Sequence, residues 1–355
     1  RGLTLSRDGR RLASAGETDQ PALFEWAEQT VFRELLGPAN IRASDIGFDL
    51  SSDGAWLVTG DQYPYAGSGN PPRARVTVAV WDGREQIASF EREIGQTERA
   101  TVFLDRRAPA ITYSATAGGI WQRRLQPGAD GRFVLGDETP IGAAKARVLV
   151  RIEPEGDWIV RRLPGKSFAV WPNGDPAREA DLFSQGPAPK GIFHLERRWA
   201  VSRDAPEGPL HLWSTDARAE IGSIVAPRAT GVAFSPGGDR VVVAGDKTYR
   251  AWTLPDLQPG LEWPLRNDGD PQKVFSFSPS GRWFVGELGG SAVELRDGHS
   301  FELLVRFEPP LTLELGGVRW SPDESRIYLR SRGPRIFYWD LTALRRELKA
   351  RGLDW

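Results

Sequence analysis

The sequence predicts an all-β fold built from one unit repeated eight times. Three observations predict it. An apolar residue returns at Leu5, Leu50, Leu104, Ile152, Leu195, Phe234, Phe277 and Trp320, at intervals of roughly 40 to 55 residues. A polar turn follows most of these positions, such as Ser51-Ser52-Asp53-Gly54 or Ser278-Pro279-Ser280-Gly281. A tryptophan then recurs in one phase, at Trp26, Trp81, Trp121, Trp171, Trp213, Trp252 and Trp339, with Leu295 in the remaining unit.

Each element of the unit has a physical reason. Residues Gly231–Leu254 give the clearest copy. An apolar strand ends at Phe234, and Ser235-Pro236-Gly237-Gly238 turns the chain. Ser, Pro, Asp and Gly suit such turns because they supply local hydrogen bonds, a fixed φ or a positive φ. A second strand is centred on Val241, Val242 and Val243, whose branched side chains favour extended backbone. Gly245-Asp246-Lys247 turns again, and a third strand ends at Trp252. A more polar fourth strand is expected after most units, at Val31–Leu36, Ile87–Glu91 and Leu303–Phe307 for example. The units fall near 1–38, 39–93, 94–140, 141–186, 187–227, 228–268, 269–312 and 313–340, with a helical tail at 341–355. No linker or change of composition separates them, so one domain over 1–355 is expected. Because the chain starts within a strand pattern and lacks Met, it is expected to be part of a larger protein.

Two units depart from the pattern. The second carries an insertion, Asp61–Arg75, rich in Gly and Pro and holding Tyr63 and Tyr65. The eighth has no obvious fourth strand. It runs from Trp339-Asp340 into LTALRRELKARGLDW, where Leu341, Leu344 and Leu348 share one helical face. A three-stranded last unit, with its edge covered by this helix, is the expectation.

The repeated unit resembles the WD40 repeat, a blade of a β-propeller, over essentially the whole chain. The resemblance implies an eight-bladed ring, with seven blades as the alternative, and closure leaves only short protected edges. The Trp-Asp pair survives at Trp81-Asp82 and Trp339-Asp340. The family's Gly-His pair is missing, since Gly298-His299 lies in the wrong phase, and Thr253 stands where the family has Asp. The complete Asp-His-Ser/Thr-Trp hydrogen-bond network is therefore not expected. The ending, WDL followed by a basic helix, is similar to bacterial WD40 regions joined to serine/threonine kinase domains.

Composition narrows the function. Lys+Arg is 46 against Asp+Glu at 47, which argues against a nucleic-acid binder driven by bulk charge. There is no Cys, so disulfides and thiolate metal sites are excluded. No apolar run of transmembrane length and no signal sequence occurs, so direct membrane insertion is not expected. These features leave the compartment open, with the cytoplasm the slight favourite. His194, His211 and His299 lack carboxylates at ligand spacing, and no nucleophile-elbow, Walker or His-Glu-x-x-His pattern occurs. No metal, cofactor or catalytic residue is therefore expected. Ala66–Asn70 is Gly-rich but has no Lys and opens no helix. Seven of the 14 tryptophans end a third strand, Trp56, Trp158, Trp199 and Trp283 start a second strand and Trp320 ends a first, and these are read as packing between sheets; Trp263 and Trp355 fall outside that pattern.

What the repeat does not explain carries the functional expectation. The insertion lies between second and third strands, on the face where the blades' connecting loops gather. Tyr63 and Tyr65 are amphipathic anchors, and Asn70, Arg73 and Arg75 accompany them. Neighbouring connections add Glu17, Asp19, Arg203, Asp204, Glu207, Asp246, Lys247, Arg332 and Arg335, a mixed-charge rim suited to a protein or peptide rather than a polyanion. The terminal helix is the second candidate surface. The reading is a non-catalytic protein- or peptide-binding scaffold. A propeller hydrolase or lyase with a site at the channel mouth and a structural oligomerisation module are the alternatives.

Overall fold

The computed structural model describes residues 2–5, 11–15, 22–25, 32–35, 44–51, 56–65, 73–81, 86–95, 100–105, 110–115, 119–127, 133–141, 158–162, 168–172, 180–181, 192–196, 198–203, 205, 207–217, 219–245, 247–265, 274–289, 292–307, 315–331 and 336–350. The chain begins with β1 (Gly2–Leu5), β2 (Arg11–Ala15) and β3 (Ala22–Glu25), one antiparallel sheet, and continues to β4 (Phe32–Leu35). The next sheet is β5 (Ser44–Leu50), β6 (Leu57–Tyr65), β7 (Arg73–Trp81) and β8 (Gln86–Gly95). Then come β9 (Ala100–Asp105), β10 (Ala110–Ala115), β11 (Gly119–Pro127) and β12 (Phe133–Leu135), with β13 (Thr139–Pro140) also on β11. A shorter sheet follows, of β14 (Trp158–Arg162), β15 (Phe168–Pro172) and β16 (Ala180–Asp181). Two four-stranded meanders come after it: β17 (Ile192–Glu196), β18 (Trp199–Arg203), β19 (Leu210–Ser214) and β20 (Ala219–Ile224), then β21 (Gly231–Phe234), β22 (Arg240–Ala244), β23 (Thr248–Thr253) and β24 (Pro259–Pro264). A third is β25 (Phe275–Phe277), β26 (Trp283–Gly289), β27 (Ala292–Asp297) and β28 (Leu303–Phe307). The chain ends in β29 (Leu315–Trp320), β30 (Arg326–Ser331), β31 (Ile336–Asp340) and α1 (Leu341–Ala350), the single helix among the described residues. The molecule is all-β, in antiparallel sheets.

One turn chemistry repeats. Ser51, Ser235, Ser278 and Ser321 each donate their main-chain N–H to the carbonyl of the residue five ahead, at 2.9 Å. Each Oγ accepts that residue's N–H in return, at 2.8–3.1 Å. The four serines are buried, so these bonds satisfy groups that water does not reach. Three residues after Ser235, Ser278 and Ser321 the backbone is left-handed, at Gly238 (φ 70°), Gly281 (φ 75°) and Glu324 (φ 58°). Glycine suits that conformation and glutamate is strained in it.

The core lies between sheets rather than within one layer. Val58 and Val80 pack with Leu104, Ile111 and Tyr113 of the following sheet. On the other side, Leu50 and Leu57 pack with Tyr328, Ile336 and Tyr338 of the last sheet. Between β21–β24 and β25–β28 an aromatic cluster forms from Tyr249, Trp263, Phe275, Phe277, Phe284 and Phe301. Phe284 is fully buried at its centre, edge-on to four of the others. Trp263 belongs to this cluster, although it falls outside the repeating phase. The first strands of successive sheets lie side by side in the order β17, β21, β25, β29, β5, β9.

The end of the chain differs from expectation. Residues Val31–Leu36 were expected as the fourth strand of the first unit. Instead β4 pairs antiparallel with β31, with Phe32 opposite Trp339 and Leu35 opposite Ile336. The last sheet therefore has four strands and not three, and its edge is covered by a strand. The reason is main-chain bonding. A helix spends its N–H and C=O groups internally and cannot satisfy a strand edge. α1 serves elsewhere: Asp340 caps it, its Oδ1 accepting the Ala343 N–H at 2.8 Å, and Leu341, Ala343 and Leu344 face the sheets. The side chain of Leu348 lies outside the described residues.

Candidate functional site

The segment expected as a Gly/Pro-rich loop is mostly sheet. Of Asp61–Arg75, residues 61–65 continue β6 and 73–75 open β7; only 66–72, with Asn70, lie outside the described residues. The alternation Val76-Thr77-Val78-Ala79-Val80 drives the extension, because β-branched residues favour a pleated ladder. The register is unbroken from Val80 to Arg73, and β8 follows alongside. The described part of β5 begins at Ser44, opposite Gln62, and Tyr63, Pro64 and Tyr65 carry the β6–β7 pairing roughly 10 Å beyond it.

Residues opposite each other in antiparallel strands share a face. One face of the ribbon has three rows: Asp61, Thr77 and Glu91; Tyr63, Arg75 and Glu93; Tyr65, Arg73 and Gly95. The other face has Gln62, Val76 and Arg92, then Pro64, Ala74 and Ile94. The two-residue period puts the Tyr-bearing face on the side of Leu57, which packs toward β30 and β31. Pro64 also fits its place. The Trp56 carbonyl accepts the Ser51 N–H and its own N–H donates to Ser51 Oγ, so even-numbered residues of β6 direct N and O toward the β5 side. The missing N–H of Pro64 falls on that side, beyond the described part of β5, where it costs no described ladder bond.

The structure thus brings Tyr63 and Arg75 into one row and Tyr65 and Arg73 into the next. The other expected residues do not join them. Glu207 is exposed at the β18–β19 connection and paired with Arg228 at 3.1 Å. Lys247 is exposed at the β22–β23 connection, where its carbonyl accepts the Leu265 N–H at 2.7 Å. Asp204, Arg332 and Arg335 lie outside the described residues. His211 sits against Glu220, Nδ1 to Oε1 2.7 Å. Its strand neighbour Trp213 donates Nε1–H to Ser202 Oγ at 2.8 Å, one arm of the network not expected to be complete.

Glu287 and Arg330, charges inside second strands, were missed, and Arg203, expected in a rim loop, ends a strand. Arg203, Glu287 and Arg330 occupy equivalent positions, three residues past the first apolar pairing of β18, β26 and β30. Their signal was a charge in an otherwise apolar run, as in RIYLRS. Arg330 is 2% exposed, and burial pushes its pKa down to about 10, so it stays charged at neutral pH. Arg203 donates Nη1–H to the Ala229 carbonyl at 2.7 Å, tying neighbouring sheets. Tyr249 ties the next pair, its hydroxyl donating to the Glu287 carbonyl at 3.0 Å. Burial, with the Glu287 and Glu294 charges, holds that phenol well above its ordinary pKa, so it remains a donor. Arg203 and Tyr249 join sheets to one another.

At the opposite, turn end of the sheets a cavity of about 230 Å³ is lined by Arg282, Trp283, Leu295, Thr342 and Arg345, among others. Its carboxylates are engaged: Asp323 accepts from Ser325 at 2.9 Å and Glu324 from the Ser280 N–H at 2.5 Å. Among the described residues no group of three or more His, Cys, Asp or Glu could hold a metal ion, and no helix is long and apolar enough to cross a membrane. The extended ribbon is the feature in which sequence-expected site residues converge. No protein-family model and no curated protein matches the chain.

Proposed function

We propose that the chain is a non-catalytic binding scaffold, a WD40-like β-propeller that presents the β6–β8 ribbon to a protein or peptide. It would serve as the sensing or targeting module of a larger, kinase-linked protein. The observation that carries this reading is the ribbon itself. Tyr63 with Arg75, and Tyr65 with Arg73, stand in adjacent rows on one face of the ribbon. Aromatic and Arg side chains are the residues that dominate interface energies.

Seven blades fit better than eight. β4 supplies the outer strand of the last sheet, and β29 lies beside β5, which leaves no place between them for β1–β3. On this reading β1–β3 stands outside the ring and β4 latches it shut.

Peptide display tests the function. Replacing residues 63–75 by Asn-Gly joins Gln62 to Val76 through a two-residue hairpin turn in the existing register. Peptides selected on the native chain are expected to bind this variant about tenfold more weakly or worse, about 1.4 kcal/mol, with the melting temperature unchanged. Equal binding would remove the ribbon's role, and a native chain that enriches no peptide would remove the scaffold reading.

A further inference from the structure

We infer that the cavity beside α1 is a site for a free, zwitterionic α-amino acid with an apolar side chain. The site lies apart from the ribbon and does not depend on the scaffold reading.

The cavity forms where the sheet β25–β28, the β29–β30 turn and the start of α1 meet. At about 230 Å³ it is smaller than the roughly 300–1,000 Å³ of sites for drug-sized ligands, so its occupant is a small molecule. Its walls are tied together. The Leu341 N–H donates to the Ser325 carbonyl at 2.8 Å and pins the helix to the turn. The Ser280 N–H donates to Glu324 at 2.5 Å and pins that turn to the neighbouring sheet.

The lining carries both charges in balance: Arg282 and Arg345 against Asp323 and Glu324. Arg282 is exposed, and its guanidinium lies over the Trp283 ring, 4.4 Å from the centroid. That stacking uses the face of the guanidinium and leaves its in-plane N–H donors for a carboxylate. Asp323 and Glu324 accept bonds within the turns, but a carboxylate offers about four acceptor sites, which leaves capacity for an ammonium group. Trp283, Leu295 and Leu341 supply the apolar part of the lining.

Simpler ligands fit less well. A plain anion meets two carboxylates, and a plain cation meets two arginines. A zwitterion sets each of its charges against the opposite one, with its side chain on the apolar surface.

The test is calorimetric titration of the full chain with L-leucine and with L-phenylalanine. Isocaproate, which lacks the ammonium, isoamylamine, which lacks the carboxylate, and glycine, which lacks the side chain, serve as controls. At least one of the two amino acids is expected to bind with a Kd of about 1 mM or tighter, and each control at least about tenfold more weakly. Arg282→Gln, at an exposed position, is expected to weaken binding about fivefold or more with the melting temperature unchanged. Thr342→Trp, which puts a larger side chain at the exposed rim, is expected to weaken it about tenfold or more. The inference is overturned if neither amino acid shows saturable binding below about 10 mM. It is also overturned if any control binds as well, or if neither variant changes the affinity.

Discussion

The sheets β21–β24 and β5–β8 start on the same plan and then part. In one, Phe234, Val241 and Trp252 stand in a row across three strands; in the other the row is Leu50, Leu57 and Trp81. Ser235 and Ser51 make the same pair of bonds to the residue five ahead. Beyond that row β22 ends three residues on, at Ala244, and β6 runs eight residues on, to Tyr65. The shared half faces neighbouring sheets and is fixed by burial and by the turn. On the proposed reading, stability rests on the shared half and recognition on the residues beyond it.

Paired truncations would break that division if it is wrong. Phe284→Ala opens a void among four aromatic neighbours and is expected to cost about 3–5 kcal/mol. Tyr65→Ala, a similar loss of ring, is expected to cost less than about 0.5 kcal/mol, as substitutions away from packed features do. Denaturant unfolding of both variants gives the comparison directly, and equal costs would end it. The turn offers a sharper, smaller test. Ser278→Ala leaves the Trp283 N–H without its hydroxyl acceptor in a buried setting and is expected to lower stability by about 1–3 kcal/mol. A smaller effect of opposite sign is expected at Glu324. Glu324→Gly relieves a left-handed backbone worth about 1–2 kcal/mol but gives up the bond from Ser280, for a net gain under about 1 kcal/mol. A fall in stability at that position would mean that the carboxylate bond outweighs the strain.

Much of the fold was legible because its signals are local. The apolar anchors, the serine turns and the third-strand tryptophans each announce themselves within a few residues. Trp199, Trp213, Trp252 and Trp320 are buried, and Trp56, Trp121, Trp283 and Trp339 pack against the core while partly exposed. The partner of β4 was not legible. FREL reads as an outer strand, but nothing in four residues says that its ladder lies at Ile336–Asp340, across nearly the whole chain. The ribbon was misread for a different reason. Gly and Pro in 66–72 drew the whole of Asp61–Arg75 into a loop, although the alternation from Arg75 onward already carried a strand period. Arg330 went unnoticed because a charge at a strand end reads as solvated, and only the packing of neighbouring sheets buries it. Of the expected site, the Tyr and Arg residues of one segment converge by register, while Glu207 and Lys247 each remain at the connection of their own sheet.

The central claim is that β6 and β7 change character along their length, from structural base to recognition tip. Amide hydrogen exchange in the free chain, and again with a display-selected peptide bound, tests it most directly. The account predicts slow exchange at Leu57–Gly60 in both states. At Tyr63, Tyr65 and Arg73–Arg75 it predicts fast exchange in the free chain and slowed exchange on binding. Tip amides as slow as the base in the free chain, and unmoved by the peptide, would contradict it.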